Sequence, residues 1–214
     1  MSLNFIGQKT IMTSVITGDI IRSRKANPEE WLRRLKKELK PLGRSPRFWE
    51  IYGGDTFQVR VTDPLQALQV AIKIKSGLKT IKAIDVRMAI GLGEISYEAS
   101  RITESNGTAF VNSGEKFELL KKEKINLAIK SPWEEFDNEL NLYLKLSLII
   151  MDKWTTNGAE MVQISLDNPT LSQEKLGKLL SIKQNAISNR LKRTNLETLM
   201  EVNELYKKKL KKLL

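Results

Sequence analysis

The feature that most constrains this chain is the order in which its hydrophobic period changes along the first half. Ile11–Ile20 reads Ile-Met-Thr-Ser-Val-Ile-Thr-Gly-Asp-Ile, β-branched and apolar enough for a buried strand, with the carboxylate of Asp19 at its end. Asn27-Pro28-Glu29-Glu30 then supplies a capping side chain, a proline at the first helical position and acids in the first turn. Trp31, Leu32, Leu35 and Leu39 carry a helical period on to Pro41 and Gly43. Phe48–Tyr52 and Thr56–Val61 are short strand-like runs joined by Gly53-Gly54-Asp55, residues that tolerate the positive φ of a tight hairpin. Asp63-Pro64 caps a second helix through Leu65, Leu68, Ala71 and Ile72, and Ile84–Ile95 returns to strand. The resulting order is β-α-β-β-α-β. That is the ferredoxin-like order, in which the first strand lies centrally beside the hairpin, so that Asp19 and Asp55 can meet at one edge of the sheet.

Beyond Arg101–Asn112, a less regular segment, the pattern predicts a helix around Ser113–Lys122 and a fifth strand at Ile125–Ile129. Ser131-Pro132-Trp133-Glu134 reads as a capping box. The apolar run Leu140, Leu142, Leu144, Leu146, Leu148, Ile149, Ile150 and Met151, continuing to Trp154, predicts a long, mostly buried connecting helix. A boundary near Lys153–Asn157 divides the chain into an α+β palm domain, residues 1–155, and a small all-α domain, residues 156–214. In the latter, Leu176, Leu179, Leu180, Ile182, Ile187 and Leu191 are spaced to close two short helices onto one core, with Ser181 in the break and Gly177 at their close approach. That is helix-turn-helix spacing. It leaves Lys183, Gln184, Asn185, Ser188, Asn189, Arg190, Lys192 and Arg193 on or near the outer face of the second helix. Asn and Gln there can read adenine edges, Arg can read guanine, and Lys or Arg can hold phosphates. A solvated amphipathic hairpin in a helical bundle is the plainer reading of the same spacing. A last helix carries Leu196, Leu199, Val202, Leu205 and Leu210 into a lysine run; its stripe reads as a dimer seam and the lysine run as a phosphate contact, or the whole as a frayed solvated tail.

Composition narrows the chemistry. The chain has 214 residues, 41% of them hydrophobic, and a formal net charge of +11, which favours polyanionic partners such as nucleic acid or nucleotides. It contains no cysteine and no histidine, which excludes disulfides, thiolate chemistry, zinc fingers, Ser-His-Asp triads and imidazole acid-base catalysis. Any metal must be held by oxygen. No apolar run reaches membrane-spanning length and the start lacks signal-peptide order, so a cytoplasmic protein without membrane partners is expected.

Two carboxylates brought to one end of a sheet suit magnesium, which prefers one or two carboxylates together with phosphate oxygens and water. Asp19 and Asp55 are the candidate metal ligands, and Gly53, Gly54, Asn112 and Lys116 the candidate nucleotide or phosphate contacts. Each has a structural alternative: Asp19 as a loop-entry residue, the Gly-Gly-Asp as a bare turn, Asn112 as a cap and Lys116 as a surface lysine. Arg87, inside a strand, reads as an ion-pair partner or a phosphate contact.

Ile16-Thr-Gly-Asp-Ile20, Tyr52-Gly-Gly-Asp-Thr-Phe57, Val86-Arg-Met-Ala-Ile-Gly-Leu-Gly93 and Val111-Asn-Ser-Gly-Glu-Lys116 resemble the class III nucleotidyl cyclase homology domain over roughly the first 130 residues. The resemblance implies a cyclase-like palm in which Asp19 and Asp55 bind metal and Asn112 stabilises the triphosphate, with Lys116 where that family has Arg. The chain departs from the pattern at Ile51, where the base-selecting Lys is expected, and near Ser105, where the base-contacting Asp is expected. The hairpin also resembles that of diguanylate cyclases, except that Thr56 replaces an acid. Over its whole length the chain resembles the SatD family, which implies a cytoplasmic bacterial protein with a DNA-binding tail. Two hypotheses follow: a dimeric regulator in which a ligand-binding palm carries a DNA reader, and a magnesium-dependent nucleotide enzyme with a regulatory helical domain. A scaffold with both sites vestigial is the third.

Overall fold

The computed structural model describes residues 12–214. Five strands, β1 (Thr13–Ile21), β2 (Trp49–Tyr52), β3 (Thr56–Val61), β4 (Asp85–Gly93) and β5 (Leu127–Lys130), form one sheet in the order β2-β3-β1-β4-β5. β1 is central and antiparallel to both β3 and β4, while β5 joins β4 in parallel. The helices are α1 (Pro28–Leu39), α2 (Ala67–Lys79), α3 (Thr108–Glu123), α4 (Glu134–Met151), α5 (Thr156–Asp167), α6 (Gln173–Leu180), α7 (Gln184–Thr194) and α8 (Leu196–Leu210). The molecule is thus mixed α and β, with the β-α-β-β-α-β order in its first half. The expected strand start at Ile11 lies outside the described residues.

Alternation along the strands assigns the two faces. Ile16 and Ile20 of β1, Phe57, Val59 and Val61 of β3, and Val86, Met88, Ile90 and Leu92 of β4 point into the main core with Trp31, Leu35 and Leu39 of α1 and Leu68, Ile72 and Leu78 of α2. On the opposite face α3 lies so close to β4 that a Cβ at Gly91 would stand 2.3 Å from the Ala109 carbonyl oxygen and from the Ser113 nitrogen. Thr17 and Ser113 share a buried 3.0 Å hydrogen bond across that contact. α3 begins at Thr108, five residues before the expected start, so part of the segment that reads as irregular is its first turn.

Three local expectations are corrected. The Asn27 side chain does cap α1, accepting from the Glu29 amide at 3.0 Å, but Ser131 does not cap α4. α4 starts at Glu134, and Ser131 instead donates through its amide and hydroxyl to Asp137, at 2.8 and 2.6 Å. α4 is also not mostly buried: Leu140, Leu144 and Leu148 face the core, whereas Leu142, Leu146 and Ile149 are more than half exposed. The apolar stripe of α8 is used within the chain rather than presented outward. Leu196, Leu199, Tyr206 and Leu210 are buried in the main core, and the Tyr206 hydroxyl donates to the Pro64 carbonyl oxygen at 2.5 Å.

Candidate functional site

The register of β1 fixes where Asp19 stands. It lies opposite Thr56 on one side and Arg87 on the other, at the end of the sheet where the β2-β3 hairpin turns. Gly53 and Gly54 take the positive φ that the turn demands, 58° and 95°. The Ile20 amide donates to the Asp55 carbonyl oxygen at 3.1 Å, pinning the hairpin against β1. The two expected metal ligands are therefore neighbours, close enough that the charge of Asp55 acts on the Asp19 carboxyl.

Their surroundings differ. The Ser23 hydroxyl donates to Asp55 Oδ2 at 2.6 Å from a 3-10 turn that follows β1. Arg87 Nη1 stands 3.6 Å from Asp19 Oδ2, so the ion-pair reading of Arg87 holds, while Asp19 Oδ1 and Arg87 Nε are buried without a hydrogen-bond partner. Burial is the main force pushing the Asp19 carboxyl above its ordinary value; Arg87 and Lys121 pull it back and Asp55 adds to the rise. Two carboxylates, one hydroxyl and the Arg87 guanidinium thus share one end of the sheet, while Lys121, whose charge reaches Asp19, pairs with Glu118 at 2.9 Å. Among the described residues no group of three or more metal-ligating side chains gathers anywhere. Sequence reasoning missed Ser23 and Lys121. Nothing local links Ser23 to a hairpin 32 residues away; Lys121 would have emerged had α3 been phased from Thr108.

Of the expected phosphate contacts, Gly53 and Gly54 form the turn that leads into Asp55, whereas Asn112 and Lys116 are not part of this cluster. Asn112 donates its side-chain amide to the Leu92 carbonyl oxygen at 2.7 Å, at the far end of β4. Arg87, beside Asp19, and Leu92 are five residues apart along that strand, roughly 17 Å. Lys116 lies beside α4, in a groove with Asn138 and Asn141, and its charge reaches Asp137. Within one chain, then, the carboxylate pair and the Asn112–Lys116 pair occupy different places. Glu50, next to the position where the cyclase pattern has its base-selecting Lys, is buried and held by Arg101 and by the Thr103 hydroxyl at 2.7 Å.

The C-terminal helices present a second candidate surface. α6 and α7 meet on α5 through Met161, Leu176 and Ile187, with Ile164, Leu171, Leu180, Ile182 and Leu191 around them. Ser181 adopts the left-handed conformation in the break, φ 55°, and a Cβ at Gly177 would stand 2.8 Å from the Ile182 carbonyl oxygen. Leu179, expected in this core, is 60% exposed instead. Lys183, Gln184, Asn185, Asn189, Lys192 and Arg193 are exposed, whereas Ser188 and Arg190 are half-buried. Ser188 and Lys192, one turn apart, also border a cleft of about 730 Å³ with Gln69, Asn168, Leu171 and Asn195.

Among the described residues no helix is long and apolar enough to cross a membrane. No curated protein matches the chain. The family model for the SatD family matches residues 13–210, nearly the whole length, and the chain belongs to that family.

Proposed function

We propose that this chain is a cytoplasmic, DNA-binding regulatory protein in which α6 and α7 form a helix-turn-helix carried by a ferredoxin-like, cyclase-like palm. The observation that carries this reading is the face of α7. Its inner side is spent on Met161 and Leu176 through Ile187, and its outer side presents Asn185, Asn189, Lys192 and Arg193 together to solvent. Two amides able to read adenine edges beside two phosphate-binding cations are what an inserted recognition helix offers. The palm reading is supported by the strand order β2-β3-β1-β4 with β1 antiparallel to both neighbours. One recognition helix makes few base contacts, so the protein binds DNA as a homodimer, one helix to each half-site.

The test is fluorescence anisotropy on duplex DNA at several salt concentrations. Replacing Lys192 and Arg193 together by Ala should weaken binding and reduce the slope of log affinity against log salt by about 1.8, at about 0.9 per lost phosphate contact. An unchanged slope removes the DNA-reader assignment.

A role for the palm in binding a magnesium–nucleotide is favoured by one observation, the unpartnered Asp19 Oδ1 beside Asp55. Asp19 and Asp55 would hold the ion, which would neutralise phosphate charge, and Arg87, beside Asp19, would receive phosphate oxygens. The separation of Asn112 from Asp19 favours a ligand-sensing palm over an enzyme complete in one chain. A magnesium-dependent rise in the melting temperature with a nucleoside triphosphate, lost in Asp19→Asn, supports the role. A panel of nucleotides without any shift overturns it.

A further inference from the structure

Among the described residues, α4 leaves several large apolar side chains uncovered on one side. Leu142, Leu146 and Ile149 are 55%, 54% and 58% exposed, and their spacing places them in one row on the helix. Single exposed leucines are ordinary, but three in contiguous helical register form a face. The seam expected on α8 is not open, because that stripe is buried against the palm.

We propose that this face of α4 is where a second copy of the chain docks, antiparallel, about a two-fold axis that passes between Leu142 and Leu146. The charges along the row select this occupant. Toward the N-terminal end the row continues into Asn138 and Glu135, and toward the C-terminal end into Lys153, with Lys145 alongside; all four are exposed. Among the described residues no ion pair uses Glu135, Lys145 or Lys153. A two-fold arrangement brings Glu135 against the partner's Lys153, Leu142 against the partner's Leu146, and Ile149 toward the partner's Asn138. The receiving surface there is concave: a groove of about 200 Å³ runs beside Asn138, Asn141 and Leu142. The two ends of the row are therefore complementary to each other in charge, and the row is complementary in shape, as an isologous contact requires; Lys145, one residue from the axis, meets its own copy and keeps the contact weak. Opposed helix dipoles favour the same antiparallel order. β5 does not compete as a dimer edge, because Asn141 accepts from the Ile129 amide at 2.8 Å and donates to the Ile129 carbonyl oxygen at 2.9 Å, filling the place of a next strand. One five-turn helix with flanking grooves is a small contact, so association in the micromolar range is expected.

The inference stands apart from the DNA reading, since mass alone tests it. Sedimentation equilibrium of the full chain should show a monomer–dimer equilibrium reaching mostly dimer by about 100 µM. Leu146→Asp should be monomeric throughout that range, with unchanged circular dichroism and melting. Glu135→Lys should weaken the dimer about tenfold, and adding Lys153→Glu should restore it, because the swapped pair meets again only in the antiparallel register. A monomeric wild-type chain, a dimeric Leu146→Asp variant, or failure of the double charge swap to restore affinity each overturns the proposal.

Discussion

At the scale of single residues, the charges that matter most are those the fold has half removed from water. Glu38 of α1 is buried, and its Oε1 lies 3.4 Å from Arg34 Nε with neither atom hydrogen-bonded. Glu38 and Gln163 of α5 both reach over Gly77, and Gln163 Oε1 is likewise unpartnered. Burial is the main force raising the Glu38 carboxyl above its ordinary value, against the pull of Arg34 and Lys73. The sign follows directly. As pH rises through the ordinary glutamate range the unfolded chain ionises first, so stability falls until the folded carboxyl also ionises, and the full penalty persists above that. Glu38→Gln removes the charge and supplies a donor for Gln163 Oε1. It should stabilise the protein by about 1 kcal/mol near pH 8, with the gain shrinking toward zero near about pH 4. Urea titrations at the two pH values check this; an equal gain at both would contradict the argument. Gly91 gives a second residue-scale prediction. A methyl group there meets α3 backbone at 2.3 Å, and neither partner is the flexible end of a side chain. Gly91→Ala should cost about 3 kcal/mol or more, read as a fall in the denaturant midpoint.

At the scale of elements, the alternation of periods in the first half made the strands and their order legible, because a half-buried strand and an amphipathic helix leave different signatures in side-chain polarity. The end of β1 and the hairpin met as expected for the same reason: once β1 is central, Asp19 has only Thr56 and Arg87 as cross-strand neighbours. What resisted reading was phase and partner. α4 carries apolar residues on more than one face, so composition suggested burial, while only the Leu140, Leu144 and Leu148 side finds the sheet. The leucines of α8 read equally as a seam or a tail, since nothing in a single helix says which surface it will meet. Leu179 failed because α6 turns only its Leu176 and Leu180 side toward α5. The closure of α8 rests on a specific bond as well as on area: Tyr206 is buried against Phe136, and its hydroxyl pairs with the Pro64 carbonyl. Tyr206→Phe keeps the ring and leaves that carbonyl unpaired, and should lower stability by about 1 to 2 kcal/mol in chemical denaturation. A null effect would mean that water satisfies Pro64.

At the scale of the whole molecule, the cores predict how the protein opens. One continuous core runs from α1 and α2 through the sheet to α4, and takes in Trp154, Ala159, Val162, Leu196, Leu199, Tyr206 and Leu210 from the C-terminal part. The junction is reinforced by buried charge. Lys75 Nζ lies 2.7 Å from Asp85 and 2.6 Å from Asp152, and Lys79 donates to the Asp152 carbonyl oxygen at 2.9 Å, tying α2, β4 and the end of α4 together. The Trp154 indole donates to the Thr194 carbonyl oxygen at 3.0 Å, fastening the end of α7 to the same body. α6 has none of these ties. It rests on a core of three buried residues, Met161, Leu176 and Ile187, and on the close contact at Gly177. The free energy of opening scales with the apolar area and buried hydrogen bonds an element shares with the rest, so α5, α8 and the sheet should unfold as one unit while α6 and the first turns of α7 open below it. Native-state hydrogen exchange should place the α6 amides several kcal/mol below the global value, with α8 and β4 at that value. Gly177→Ala, which pushes α6 off the Ile182 carbonyl, should lower protection in α6 and α7 while barely moving the β4 amides. Exchange of α6 and β4 at one common free energy would instead mean that the surface carrying Asn189 and Arg193 is as rigid as the sheet, with no separate opening of the α6–α7 pair.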